Sequence, residues 1–321
     1  MNKTDIIILN LEILYDYETI NNNFFKARAY KNVIDNLYDK NIYSIDDLNN
    51  IEGIGIKIKE KIKELLLNGF IKKIEDIKKD KLFIFKKKLL SIYGIGPSNI
   101  NNIINKHNIK TIDELEKNKN ILNNLQLIGL KYYKDLEIKI PHKEVINHHI
   151  LLSNELNKYY DIKYEFVGSF RRNIKNIGDL DIIIRKNDNF NLNIFINNLI
   201  EKNYIIEKLA NGNNKFMGIC KLNKYKYARR IDILVVPNEE YYWSLLYFTG
   251  SYKFNIVMRK MAHNIGYSLS EHGLKIINNN LNLKIPVINC EKDIFTFFNI
   301  KYIEPKDRIN LFSIYNNRIH Q

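Results

Sequence analysis

The run from Phe166 to Ile184 limits the fold more than any other stretch of this chain. It opens on a glycine-serine turn, Gly168-Ser169, followed by the paired arginines Arg171 and Arg172. It closes on Asp179-Leu-Asp181, set in an isoleucine-rich run with the character of a buried strand. Residues i and i+2 of a strand share a face about 7 Å apart, so the two carboxylates stand side by side. Asp232 lies in a second run of this kind, Arg229-Arg-Ile-Asp-Ile-Leu-Val-Val236. A lone Asp-x-Asp is usually a turn or a solvated edge. Here the flanking isoleucines offer no solvated alternation, and burying the acids without a cation would be costly. Three acids converging from two strands suit hard divalent cations. A Gly-Ser backbone beside an arginine suits phosphate. Together they describe two-metal phosphoryl transfer.

The rest of the composition narrows the setting. At 321 residues the chain holds two to four compact units. With 45% hydrophobic and 27% charged residues it is globular rather than disordered. Fifty Lys+Arg against 36 Asp+Glu give +14, which favours nucleic acid first and an acidic membrane second as partner. Its wealth of Asn, Lys and Ile fits an AT-rich coding sequence, so part of the lysine excess reflects coding rather than function. Two distant cysteines, Cys220 and Cys290, form neither a zinc site nor a disulfide framework. No signal pattern and no uncharged apolar stretch of about 18 residues is visible, so a soluble intracellular protein is expected.

The N-terminal part reads as helical. Ile20 to Leu37 is expected to form one amphipathic helix. Gly53-Ile-Gly55 then opens a helical run, and the pattern returns as Gly94-Ile-Gly96, 41 residues on. Such glycines let the backbone approach a phosphate, and the following helix offers free N–H groups. Those contacts carry no sequence information. The helix after the first turn carries Lys57, Lys59, Lys61 and Lys63, with Lys57 and Lys61 on one face. Lys26 and Tyr30 share a face of the helix before it. A solvated lysine face is one reading. The other is a clustered amine of lowered pKa, a nucleophile for an aldehyde. The pattern leaves both open. Pro141 is a plausible boundary. Strands are expected at Tyr164–Val167, Leu180–Ile184, Phe216–Leu222 and Arg230–Val236, with a helical segment at Phe190–Leu209. After Pro237 the chain reads as mostly helical, with a strand-like patch near Lys284–Val287.

The spacing of Gly-Ser and Asp-x-Asp resembles the nucleotidyltransferase signature, and the two glycine turns resemble helix-hairpin-helix motifs. Several stretches in order extend the likeness: Gly94-Ile-Gly-Pro-Ser98, Ile128-Gly-Leu-Lys-Tyr132, Gly168-Ser-Phe-Arg-Arg172 and Lys215-Phe-Met-Gly218. They continue with Arg229-Arg-Ile-Asp-Ile233, Leu246-Tyr-Phe-Thr-Gly-Ser251, Glu291-Lys-Asp-Ile-Phe295 and Glu304-Pro-Lys-Asp-Arg308. Along essentially its whole length the chain resembles the family X DNA polymerases of the DNA polymerase beta type.

The resemblance implies an α+β multidomain fold. Residues 1–80 would be a helical lyase domain with the first helix-hairpin-helix. Residues 81–141 would be a DNA-binding, thumb-like subdomain with the second. Residues 142–237 would form a catalytic palm with a mixed sheet, and 238–321 a mostly helical subdomain that checks nucleotide and base pair. It also implies residue roles. Asp179 and Asp181 would bind both of two Mg²⁺ ions, with Mn²⁺ able to substitute, and Asp232 the catalytic one. Ser169, Arg172 and Gly178 would contact the triphosphate, and Arg230 would sit near the primer terminus. Tyr247, Phe248 and Gly250 would pack against the sugar, and Asn255 and Arg259 would check the base pair in the minor groove. Lys61 would be the Schiff-base lysine, with Lys26, Tyr30, Lys57 and Lys73 about the 5′-phosphate. Gly53, Gly55, Gly94 and Gly96 would approach the DNA backbone. Carbonyls of Ile51, Ile54, Ile92 and Ile95 would hold Na⁺ or K⁺.

The implied protein fills gaps in base excision repair on gapped or nicked double-stranded DNA with dNTPs, and removes a 5′-deoxyribose phosphate. It would be a monomer without membrane or proofreading exonuclease or N-terminal BRCT domain. It would be nuclear in a cell, cytoplasmic if from a cytoplasmic virus. Departures from the family pattern fall at Glu52, Leu234, Tyr252 and Ile256. Leu234 stands where the family pattern has an arginine that pairs with the acid matching Asp181. Another nucleotidyltransferase acting on nucleic-acid 3′ ends, a template-independent family X polymerase and a non-catalytic DNA-binding protein are the competing readings. Paired hairpins disfavour the first, a short segment between the strands at Ile205–Leu209 and Phe216–Leu222 the second, and the three acids the third.

Overall fold

In the N-terminal part of the chain, isoleucine and leucine at helical spacing build the core. The computed structural model describes residues 2–38, 40–186, 188–277 and 283–308. The chain divides into two units, 1–133 and 134–321.

The first unit is all-helical: α1 (Lys3–Ile20), α2 (Phe24–Leu37), α3 (Ile56–Asn68), α4 (Lys72–Lys79), α5 (Lys81–Ser91), α6 (Pro97–Asn101), α7 (Ile112–Lys117) and α8 (Asn124–Glu137), the last running across the boundary. The Asn2 side chain caps α1 by accepting from the Asp5 N–H at 2.7 Å. Asp80 caps α5 through the N–H groups of Leu82 and Phe83. Helix α2 buries Ala27, Tyr30, Val33, Ile34 and Leu37, an i, i+3, i+7 stripe. The helix expected within Ile20 to Leu37 is α2, which starts at Phe24, while Ile20 is the last residue of α1. Asn22 adopts φ +60, a left-handed conformation that asparagine tolerates, and it breaks the run between α1 and α2. Gly53 and Gly94 both take φ +83, and each turn closes with an amide of the following isoleucine bonded to the carbonyl of Ile51 or Ile92.

The second unit is mixed α+β. It comprises β1 (Ile140–Pro141), α9 (His142–Leu156), β2 (Tyr164–Phe166), α10 (Gly168–Arg171), β3 (Asn176–Ile177), β4 (Leu180–Arg185), α11 (Leu192–Glu201), β5 (Ile205–Asn211), β6 (Lys215–Cys220) and β7 (Arg229–Val236). Then come α12 (Tyr241–Thr249), α13 (Tyr252–Asn264), β8 (Tyr267–Ser270), β9 (Gly273–Ile276) and α14 (Glu291–Phe297). Five strands form one sheet in the order β2-β4-β7-β6-β5, with β4 and β7 parallel and the other pairs antiparallel. Helices α9 and α11 cover one face through Val145, Leu152, Leu156, Phe195, Ile196 and Leu199. The strand residues of opposite parity, including the acids, stay on the other face. A separate core under α12, α13 and α14 centres on Trp243, Phe254, Met258, Ile294 and Phe295.

Two expectations are corrected here. The segment Phe190–Leu209 is not helical throughout: α11 ends at Glu201, Asn203 turns at φ +55, and Ile205 begins the edge strand β5. Pairing with β6 decides the matter, a long-range contact that local pattern does not display. The patch Lys284–Val287 carries no strand. Pro286 lacks an N–H for a ladder and Val287 is 83% exposed, so nothing there gains from pairing. The hairpin lies earlier, at β8 and β9. Among the described residues no helix is long and apolar enough to cross a membrane.

Candidate active site: clustered acids and clustered lysines

Parallel pairing of β4 with β7 sets Asp181 directly beside Asp232. Asp179 stands just ahead of β4 on the same face. Oxygen atoms of the three carboxylates all lie within 4.8 Å of one another. Arg230, two residues before Asp232, donates from Nη2 to Asp179 Oδ2, and its Nε lies 3.6 Å from Asp232 Oδ1. Gly168 lies at φ +61, and a Cβ there would come within 2.3 Å of Asp181 Oδ2. The backbone therefore approaches the acid as only glycine permits. The Val167 N–H fixes the strand by donating to the Asp181 carbonyl at 2.9 Å.

The electrostatics of this cluster are unbalanced. Burial pushes the Asp181 carboxyl up to about 7, and the charges of Asp179 and Asp232 add to it against Arg230 and Arg172. Burial also raises Asp232, opposed chiefly by Arg230. Asp232 Oδ1 is buried with no hydrogen-bond partner. Three crowded carboxylates with an orphaned oxygen make a donor set that fits a hard divalent cation.

Next to the acids, the two arginines of the glycine-serine turn have different tasks. Arg171 grips Glu291 with two hydrogen bonds, at 3.0 and 2.9 Å, and Thr249 Oγ1 at 2.7 Å. Glu291 also accepts from Arg308 and Tyr302. Burial works against this carboxylate, but the hydrogen bonds from Arg171 and Arg308 prevail and hold it at about 2. Arg171 is thus committed to the structure. Arg172 donates to the Thr249 carbonyl at 2.5 Å and leaves its buried Nε without a partner. Gly250 is close by: a Cβ on it would lie 3.4 Å from Arg172 Nη1. Ser169 sits in α10, and Gly178 precedes Asp179 near the Lys139 ammonium. Asn255 donates to the Tyr247 carbonyl at 2.8 Å, and the Arg259 guanidinium lies over the Tyr247 ring at 5.2 Å. Phe248 meets Tyr247 edge to face and packs beside Val167 and Ile183. The sequence-expected residues of the second unit thus fall around two foci, the acids with Arg172, and Tyr247 with Asn255 and Arg259.

In the first unit, the lysines gather around an acid that sequence reasoning missed. Glu18 is 2% exposed. It accepts from Lys73 Nζ at 2.7 Å and Asn23 Nδ2 at 2.8 Å. Burial opposes its charge, yet those hydrogen bonds, with the charges of Lys73 and Lys26, hold the carboxyl below its ordinary range. Burial, then the Glu18 charge, pushes the Tyr30 hydroxyl up to about 12. Lys61 donates to the Lys57 carbonyl at 3.1 Å. Partial burial, then the charge of Lys73, lowers the Lys61 ammonium, while Glu60 and Glu18 oppose. Lys26 and Lys57 are exposed at the rim. The missed signal was there: Leu11, Leu14 and Glu18 fall on one stripe of α1, so an acid occupies a core position. At the hairpins, Gly55 and Gly96 are the caps that open α3 and α6. The Gly94 carbonyl also accepts from Gln126.

Comparison with known proteins agrees with this geometry. A model described as DNA polymerase beta palm matches residues 139–238, and one described as DNA polymerase beta thumb matches 244–309. A third, the fingers domain of DNA polymerase lambda, matches 87–137. Together the three take in more than half of the chain. The chain belongs to the family X DNA polymerases. This family X member is 28% identical to DNA polymerase lambda of Arabidopsis thaliana over 292 residues, 83% of this chain and 54% of the relative. It is also 28% identical to DNA polymerase lambda of Rattus norvegicus over 318 residues, 93% of this chain and 55% of the relative. DNA polymerase type-X family protein pol4 of Schizosaccharomyces pombe is 24% identical over 320 residues, 93% of this chain and 63% of that protein. The chain thus spans little more than half the length of the two lambda relatives.

Proposed function

We propose that this family X protein is a template-directed DNA polymerase that fills short gaps during base excision repair. We further propose that it removes a 5′-deoxyribose phosphate. The carrying observation is the triad of Asp179, Asp181 and Asp232, whose carboxylate oxygens crowd within 4.8 Å beside Arg172.

In this reading Asp179, Asp181 and Asp232 hold two Mg²⁺ ions, which when bound activate the primer 3′-hydroxyl and neutralise charge on the triphosphate. The chain's own groups do the rest. Asp232, with one oxygen lacking a partner, is the acceptor for the 3′-hydroxyl proton. Arg172, Ser169 and the Gly178 backbone hold the phosphates. Arg230 steadies the primer terminus beside Asp179. Tyr247, Phe248 and Gly250 bound the sugar, and Asn255 and Arg259 face the new base pair. The β5–β6 connection closes tightly, Gly212 N–H to the Lys215 carbonyl at 2.8 Å, which supports templated synthesis.

The lyase step uses the lysine cluster. Lys61 in its neutral form attacks the C1′ aldehyde, water leaves, and loss of a C2′ proton expels the 3′ phosphate. Lys26, Tyr30, Lys57 and Lys73 surround the 5′-phosphate. The hairpin turns hold the duplex backbone, with Na⁺ or K⁺ on the carbonyls of Ile51, Ile54, Ile92 and Ile95. The protein acts as a monomer, in the nucleus where the cell has one.

A one-nucleotide gapped DNA supplied with Mg²⁺ and the templated dNTP tests the polymerase. The parent extends by one nucleotide and Asp232→Ala does not. Extension by Asp232→Ala would overturn the assignment of the acids.

A further inference from the structure

Beneath the acid-bearing strand lies a buried polar cluster that the reaction above does not use. Arg229 opens β7 and is 2% exposed. Its side chain points to the sheet face opposite Arg230 and Asp232, as strand alternation requires. There it meets Glu144 of α9, 3% exposed, in a two-point ion pair: Nε to Oε1 at 2.7 Å and Nη2 to Oε2 at 2.9 Å. Arg229 Nη1 donates to the Ile138 carbonyl at 2.7 Å, and the preceding Ala228 N–H donates to Asp135 at 2.9 Å. His148, one turn along α9 and fully buried, bonds Tyr204 at 2.7 Å and leaves its Nε2 3.8 Å from Glu144 without a hydrogen bond. Burial pushes His148 down to about 4, so it stays neutral and does not take the Glu144 charge from Arg229.

Such a pair is a poor device for stability alone. Apolar residues of the same volume usually serve a core as well or better. Its position suggests what it is for. The β4–β7 ladder begins at Leu180 opposite Ile231, so Arg229 and Arg230 lie beyond its last rung. Among the described residues β6 alone pairs with this end of β7, Cys220 opposite Arg229 and Ile219 opposite Arg230. Asp179 likewise precedes the start of β4. The Arg230–Asp179 contact therefore joins two residues that lie just outside the paired positions of the parallel ladder.

We infer that the Glu144–Arg229 pair is a positioning device, which anchors the end of β7 that extends past β4 and so holds Arg230 and Asp232 in register with Asp179 and Asp181 for cation binding. Neither residue touches the reacting atoms. The inference rests on the reading of the acids as a divalent-cation site, but not on polymerase activity.

The test replaces the pair by apolar residues, Glu144→Leu with Arg229→Met, and in a separate protein makes Glu144→Gln. Thermal midpoints, Mn²⁺ affinity by paramagnetic resonance without DNA, and single-nucleotide insertion are measured on each full chain. The double variant should fold with a midpoint near the parent's. Its Mn²⁺ dissociation constant should rise about 10-fold or more, the range seen when outer groups that orient metal ligands are removed. Insertion should slow in parallel, while borohydride trapping at Lys61 stays unchanged. Glu144→Gln, which keeps shape and one acceptor oxygen, should lie between. Mn²⁺ affinity within twofold of the parent in either folded variant overturns the inference. A parent that binds Mn²⁺ through Asp232 but inserts no nucleotide instead overturns the polymerase reading and leaves the anchor standing.

Discussion

The acid cluster and the lysine cluster solve one physical problem with opposite signs. In each, like charges crowd together at the edge of a core, and in each the central group moves toward neutrality. Asp181 is raised to about 7, by burial and by Asp179 and Asp232. Lys61 is lowered, by burial and by Lys73. The difference lies in the relief. Lys73 has a built-in counter-ion, Glu18, buried beneath it. The acids have Arg230 and Arg172, yet Asp232 Oδ1 still has no hydrogen bond. The lysine cluster is completed by its own chain, with the Glu18 charge opposing the loss of the Lys61 proton. A cluster left short of positive charge is a donor set for a hard cation.

The sharpest way to break this comparison is Asp232→Asn. It should cost about a thousandfold in single-nucleotide insertion, several kcal/mol of transition-state stabilisation, while leaving borohydride trapping on a 5′-abasic flap intact. Next comes Lys61→Ala, for which trapping should fall to background while insertion stays within twofold of the parent. If trapping survives, the nucleophile is a neighbouring lysine. Glu18→Gln probes the relief itself. Weakening a buried hydrogen-bonded carboxylate should cost about 1–3 kcal/mol in denaturant unfolding of the first unit. Because Glu18 holds the Lys61 proton on, the pH profile of trapping should also move to lower pH.

The smallest effect is on stability against pH in EDTA. Asp181 binds its proton more tightly folded than unfolded, since its carboxyl is raised to about 7 from 3.8. Metal-free stability should therefore increase as pH falls through about 7, with the gain complete below 3.8. Asp181→Asn should remove that slope and raise the midpoint in EDTA at pH 8 by a few degrees, roughly 2–4 °C per kcal/mol. Mg²⁺ should restore the parent but not the variant.

Much of the fold could be read along the chain, and for identifiable reasons. Leu180–Ile184 and Arg229–Val236 are β-branched runs, and they emerge almost unchanged as β4 and β7. Alternation then put Asp179 and Asp181 on one face, and the structure brings Asp232 to them. The glycine turns were equally plain, because φ +83 at Gly53 and Gly94 suits no other residue as well. What stayed hidden depends on distant partners. Glu18 means little until Lys73 arrives from α4, and Arg229 means little until Glu144 arrives from α9. Phe190–Leu209 reads as helical as well as strand-forming at its end until β6 pairs with Ile205–Asn211, and Lys284–Val287 reads as a strand although it pairs with none among the described residues.

The parallel pairing of β4 with β7 has a consequence in time as well as in space. Antiparallel neighbours can join through a tight turn, but parallel ones need a long crossover, and here α11, β5 and β6 intervene between Asp181 and Asp232. During synthesis the lysine helix and both hairpins leave the ribosome well before Asp232 does. The long-range pairs of the first unit, such as Glu18 with Lys73, close within its own residues, whereas the acid triad must wait for β7 to be inserted between β4 and β6. A nascent chain therefore completes the helix that carries Lys61 before it can assemble the three acids.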